Sequence, residues 1–140
     1  MSTPLVLDAS AAVRLVVGPV PPAIAQAVEG ASLVVAPSLF GVETANALWK
    51  YVRAGCFDIA AAVTRLNAAL GLCDRIVCET DTSAYASLLA EAMTEASRCD
   101  HPVYDLIYLV TARRLTAHLA TCDNRLAALT VSYGMTAITP

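Results

Sequence analysis

Leu5-Val6-Leu7-Asp8-Ala9-Ser10 is the stretch on which the fold turns. Three consecutive apolar residues, without polar alternation, suit a strand buried on both faces, and such strands belong to parallel sheets covered by helices. The run stops on a carboxylate, a residue type that ends strands and opens turns. A short helix through Ala11 to Val17 follows, closed by the Gly18-Pro19-Val20-Pro21-Pro22 break.

Working outward, the same grammar repeats. A helix is expected from about Ala23 to Glu29, and Leu33-Val34-Val35 forms a second strand stopped by Pro37. Ser38 is placed to cap a long helix to about Ala54, ended by Gly55. Asp58 caps a helix through Leu70, Arg75 to Cys78 forms a third strand, and Asp81 caps a helix to about Ala96. Pro102 stands where a first helical residue is favoured, ahead of a helix to about Leu115. Leu119-Ala120-Thr121 is a fourth strand, Asp123 opens another helix, and Thr136 to Thr139 supply a short fifth strand. Apolar strands alternating with helices predict an α/β domain with a parallel sheet covered on both faces. Ligands of such sheets bind beyond the carboxyl ends of the strands, where the strand order reverses.

Composition bounds the reading. The 140 residues fit one domain over 1–140. With 57% hydrophobic and 15% charged residues, the chain has more apolar material than one small domain hides, so an apolar surface patch met by a partner is expected. Mean hydropathy is +0.60, yet no run of about 18 apolar residues exists, and Asp8 interrupts the first apolar segment. The expectation is a soluble, cytoplasmic protein with no membrane span. Five scattered cysteines without a C-x-x-C pair suggest neither a disulfide framework nor a zinc site. A net charge of −3 argues against broad adhesion to nucleic acid, but not against a strand met locally and turned over.

Four acids fall where chemistry is expected. Asp8 ends the first strand and Asp123 follows the fourth, so the two share a crevice if those strands are neighbours. Asp105 lies in the first turn of a helix that is apolar on nearly every side, and Glu43 lies inside the long helix with Asn46 on the same face. Singly, each has an ordinary explanation as a cap, turn or solvated helix residue. Together, four like charges with no lysine or arginine adjacent to all of them call for a divalent ion, and an oxygen-only set selects Mg²⁺ or Mn²⁺. Such an ion suits phosphodiester hydrolysis, which needs no Ser/His/Asp nucleophile set.

The local motifs carry a resemblance. Leu7-Asp8-Ala9-Ser10 resembles the strand-end motif that opens PIN domains, and Glu43-Thr44-Ala45-Asn46-Ala47-Leu48 resembles their E-x-x-N-A-L helix. Tyr104-Asp105-Leu106-Ile107-Tyr108-Leu109 is similar to the family's Y-D-x-x-Y-L helix, and Thr121-Cys122-Asp123-Asn124-Arg125-Leu126 to its T-x-D-x-x-L segment. The four occur in order across the chain, and its length is most like that of VapC-type toxins of type II toxin–antitoxin pairs. The resemblance implies a three-layer α/β/α fold with a sheet of about five strands ordered 3-2-1-4-5. It implies Mg²⁺- or Mn²⁺-dependent endonucleolytic hydrolysis of RNA, often tRNA or rRNA, together with a homodimer and a tight antitoxin partner. It makes Asp8, Glu43 and Asp105 metal ligands, with Asp123 completing the site directly or through water. Ser10 and Thr121 would lend supporting hydrogen bonds, and Asn46 would orient Glu43. His101 reads as a loop residue. Lys50, Arg53 and Arg125, with Arg113 and Arg114, are the available phosphate contacts, although solvated helix faces explain them equally well. The alternatives are a PIN-like scaffold whose chemistry has lapsed, a phospho-acceptor signalling domain, and a nuclease acting on DNA or flaps. The signalling domain ranks low because the early acidic pair is missing and Lys50 is the only lysine.

Overall fold

The computed structural model describes residues 2–140. In chain order the elements are β1 (Leu5–Leu7), α1 (Ala9–Val17), α2 (Pro22–Gly30), β2 (Val34–Pro37), α3 (Leu39–Arg53) and α4 (Ile59–Gly71). They continue with β3 (Arg75–Val77), α5 (Thr82–Cys99), α6 (Val103–Leu115), β4 (His118–Ala120), α7 (Asn124–Ser132) and β5 (Ala137–Ile138). The five strands form one all-parallel sheet in the order β3-β2-β1-β4-β5, in a three-layer α/β/α arrangement. The order reverses between β1 and β4, where Leu7 is in register with Ala120. That pairing carries Asp8 and Thr121, the residues that follow β1 and β4, to the same point of the carboxyl edge.

Each strand is short, so the sheet holds through burial more than through ladder length. Leu5, Val6 and Leu7 are buried, as are Leu119 and Ala120 on β4, and helices cover them on both sides. Helix α6 has Leu106 and every residue from Tyr108 to Ala112 buried and contacts β1, β2 and β4, which explains its lack of a polar face. Its other contacts, Leu106, Leu109 and Val110, join Leu88, Ala92 and Ala96 of α5 in a second apolar cluster. Helix α3 seats itself through Phe40, Thr44 and Leu48, four residues apart and all buried, while α1 packs against α3 and α4.

Four local expectations are corrected. Ser38 makes no side-chain cap; it is itself helical in backbone angles, so its hydroxyl cannot fold back onto the first turn. Pro37 is the last residue of β2 rather than its stop, which strand ends tolerate. Pro102 precedes α6 instead of opening it, and β4 begins one residue earlier than the apolar run suggests, at His118. The caps by Asp58, Asp81 and Asp123 are present. At the end of α1, Gly18 adopts φ +86°, a conformation that L side chains rarely adopt. Among the described residues, no single helix is long and apolar enough to cross a membrane; α1 and α2 reach that length only jointly, across a bend of 107°.

Candidate active site

Asp8 is the best-held acid of the molecule. It follows β1 with extended backbone angles and caps α1, its Oδ1 accepting from the Ala11 N–H at 2.9 Å and from the Ser10 hydroxyl at 2.7 Å. Across the β1–β4 junction, the Thr121 hydroxyl donates to Oδ2 at 2.5 Å. The residue is only 5% exposed. Burial raises its carboxyl to about 6; the three donors oppose that rise and the negative charge of Asp105 adds to it.

Thr121 and Ser10 tie the two strand ends together. Thr121 Oγ1 also accepts the Asp123 N–H at 2.9 Å, and Ser10 Oγ accepts the Cys122 N–H at 2.9 Å. Asp123 is thus one hydroxyl removed from Asp8. Its Oδ1 caps α7 through the N–H groups of Arg125 and Leu126, at 2.8 and 3.2 Å. The capping role and a place at the site are compatible, because Oδ2 has no protein donor among the described residues.

Glu43 arrives from α3 beside the buried Thr44. Its Oε1 accepts the Tyr108 hydroxyl at 2.6 Å, a contact that bridges 65 residues of sequence. Burial raises the Glu43 carboxyl, the Tyr108 bond lowers it, and Asp105 raises it. Tyr108 is itself buried beside Glu43 and Asp8, which pushes its phenol far above the ordinary range and makes it a permanent donor. One turn earlier on α6, Asp105 Oδ2 lies 2.7 Å from His101 Nε2, with side-chain exposures of 27% and 7%. His101 stands in the loop ahead of α6, as its sequence position suggests, with its imidazole packed against Asp105.

Asn46 does not orient Glu43. It is exposed on α3 and makes no hydrogen bond to Glu43 among the described residues; Tyr108 reaches that carboxylate from across the core instead. Arg53 lies 5.3 Å over the Trp49 ring, and Arg113 and Arg114 pair with Glu91 of α5, so these three have occupants. Lys50 lines a cleft next to Glu43, and Arg125 is exposed beside Asp123. Tyr108 and Arg14 were legible only as motif or helix letters. The spacing Asp105-x-x-Tyr108 at three residues was the one signal for the former.

The donor set suits a hard divalent cation. Among the described residues, Asp8, Glu43 and Asp123 have no Lys or Arg partner. Glu43 Oε2, Asp105 Oδ1 and Asp123 Oδ2 also have no protein donor there, while the opposite oxygen of each is anchored. As they stand, no three His, Cys, Asp or Glu side chains among the described residues are close enough to enclose an ion. Binding would thus require the acids to draw inward.

No family model matches the chain, and no curated protein matches it. Among solved structures the fold has a counterpart. The chain is similar to PAE2754 from Pyrobaculum aerophilum, with 25% identity and a TM-score of 0.72, over 96% of this chain and 83% of that one.

Proposed function

We propose that this chain is a Mg²⁺- or Mn²⁺-dependent endoribonuclease of the PIN kind, acting in the cytoplasm as the toxin of a type II toxin–antitoxin pair. One observation carries the reading. Asp8 and Glu43, from separate segments, are gathered with Asp105 at the switch point of a parallel sheet, where burial first and the charge of Asp105 after it raise both of their carboxyls. Charge repulsion of that kind, with no arginine or lysine in an ion pair with these acids among the described residues, is relieved by a bound cation. When bound, the ion would supply Lewis-acid stabilisation of a phosphodiester and a more acidic water. The chain's own part is orientation: Ser10 and Thr121 fix Asp8, Tyr108 fixes Glu43, and His101 fixes Asp105.

The test is incubation of the purified protein with total RNA and defined tRNAs in Mg²⁺, in Mn²⁺ and in EDTA, beside Asp105→Asn. Discrete, metal-dependent cleavage that the variant lacks is the expected result. Intact RNA in every lane, with no metal binding by calorimetry, sinks the enzyme. A scaffold reading would then lead, favoured by an apolar groove of about 860 Å³ between α3, α5 and α6 that none of the four acids lines.

The proposed homodimer makes its own prediction on that groove. Tyr85 and Leu115 line it and are 47% and 37% exposed. If a second copy covers this face, sedimentation will show a dimer for the wild type and a monomer for Tyr85→Asp/Leu115→Asp. A wild type that sediments as a monomer at high concentration removes the homodimer from the reading.

A further inference from the structure

A second cavity, of about 530 Å³, opens from the acidic edge between α1 and α3. Its size lies within the roughly 300–1,000 Å³ typical of ligand pockets. Ser10 and Glu43 line it, and so do Arg14, Asn46, Lys50 and Tyr51. The stripe on α3 runs Glu43, Asn46, Ala47, Lys50, the spacing of one helix face, and it ends on a cation roughly 10 Å along the axis from the acid. The stripe on α1 runs Ala9, Ser10, Val13, Arg14, again from the site residue to a cation.

The distribution of positive charge singles out this cleft. Of the nine cations in the chain, Arg98, Arg113 and Arg114 are paired with Glu91 or Glu95, and Arg53 and Arg65 lie over aromatic rings. Of the four others, Arg75 and Arg125 are scattered, whereas Arg14 from α1 and Lys50 from α3 line one cavity with Glu43. The Arg14 Nε donates to the Pro19 carbonyl at 3.1 Å, which holds the guanidinium stem and leaves both terminal nitrogens without a protein partner among the described residues. Its charge also reaches the Cys122 thiol, which lies beside Asp8. A pinned guanidinium and an ammonium with no ion-pair partner among the described residues, flanking a carboxylate site, are suited to backbone phosphates of one strand, the guanidinium taking one in bidentate fashion.

Resting on the nuclease reading, we infer that the α1–α3 cleft holds the RNA strand beside the scissile bond, with Arg14 and Lys50 as positioning residues that each take a backbone phosphate. Neither touches the reacting atoms. The probe is a short fluorescein-labelled single-stranded RNA, its binding followed by anisotropy in EDTA as salt is raised, for the wild type, Arg14→Gln, Lys50→Gln and the double variant. Arg75→Gln serves as control, since Arg75 opens β3 at the amino edge of the sheet. Each cleft variant is expected to weaken binding several-fold and to flatten the salt dependence by about 0.7 per phosphate lost. In Mg²⁺, KM for cleavage should rise while kcat stays near wild type.

An unchanged affinity, salt slope and KM in the double variant overturns the cleft while leaving a cleaving wild type intact. Conversely, RNA that is never cut but whose binding depends on Arg14 and Lys50 upholds the cleft and removes the nuclease. If the wild type neither binds nor cuts, both fall.

Discussion

Asp8→Asn will abolish cleavage and yet make the protein more stable at pH 7.5. The loss should be on the order of 10³-fold or more in kcat, because a carboxylate at the centre of the charge-handling set is removed. The gain follows from linkage. Burial raises the folded-state pKa of Asp8 from 3.8 to about 6. Between those values the folded state binds more protons than the unfolded state, so stability falls as pH rises. The favourable contribution is complete below about pH 4 and is lost above about pH 6. A shift of that size corresponds to about 3 kcal/mol at pH 7.5 for a group so fully buried. Asparagine does not titrate and keeps an oxygen for Ser10 and Ala11, although its amide must face the Thr121 hydroxyl, which offsets part of the gain. Urea titrations at pH 4 and pH 7.5 should therefore show near-equal stabilities at the lower pH and a more stable variant at the higher one. A variant that is less stable at pH 7.5, or that still cuts, refutes the account of Asp8 as a strained functional group.

The second large effect is structural. Phe40→Ala should cost about 3–5 kcal/mol, since Phe40 is fully buried and anchors α3 on the core. Against a total stability of about 5–15 kcal/mol for a domain, that is a major fraction. It should also loosen Glu43, three residues on, from the Tyr108 hydroxyl. Denaturant unfolding that shifts by less than 1 kcal/mol would mean that α3 is held elsewhere. Val42→Ala, on the exposed side of the same helix, should change stability little and is the comparison.

These two predictions sit at opposite ends of what the sequence made legible. The element order was readable because it depends on local chemistry. The uninterrupted apolar triplet Leu5-Val6-Leu7, ended at once by Asp8, suits a strand buried on both faces, and Asp58, Asp81 and Asp123 cap the helices they precede. The acids were legible as candidates because Asp8 and Asp123 fall at strand ends, while Asp105 lies in an apolar helix. Ser38 failed as a cap because whether a hydroxyl reaches the first-turn N–H depends on a backbone angle set by the preceding strand.

What the sequence by itself determined is therefore the alternation of strands and helices and the set of carboxylates placed at the ends of β1 and β4 and within α3 and α6. Tertiary structure alone decided which partners those carboxylates have. Thr121 meets Asp8 only because β1 and β4 pair in register. Tyr108 rather than Asn46 meets Glu43 because α6 and α3 both pack on β2, which brings the phenol within reach of that carboxylate. His101 turns in toward Asp105, and Arg14 and Lys50 come to line one cavity. The physical reason is range: caps and strand burial act within a few residues, whereas burial, hydrogen bonding and charge at a site act through space, between residues as far as 113 positions apart.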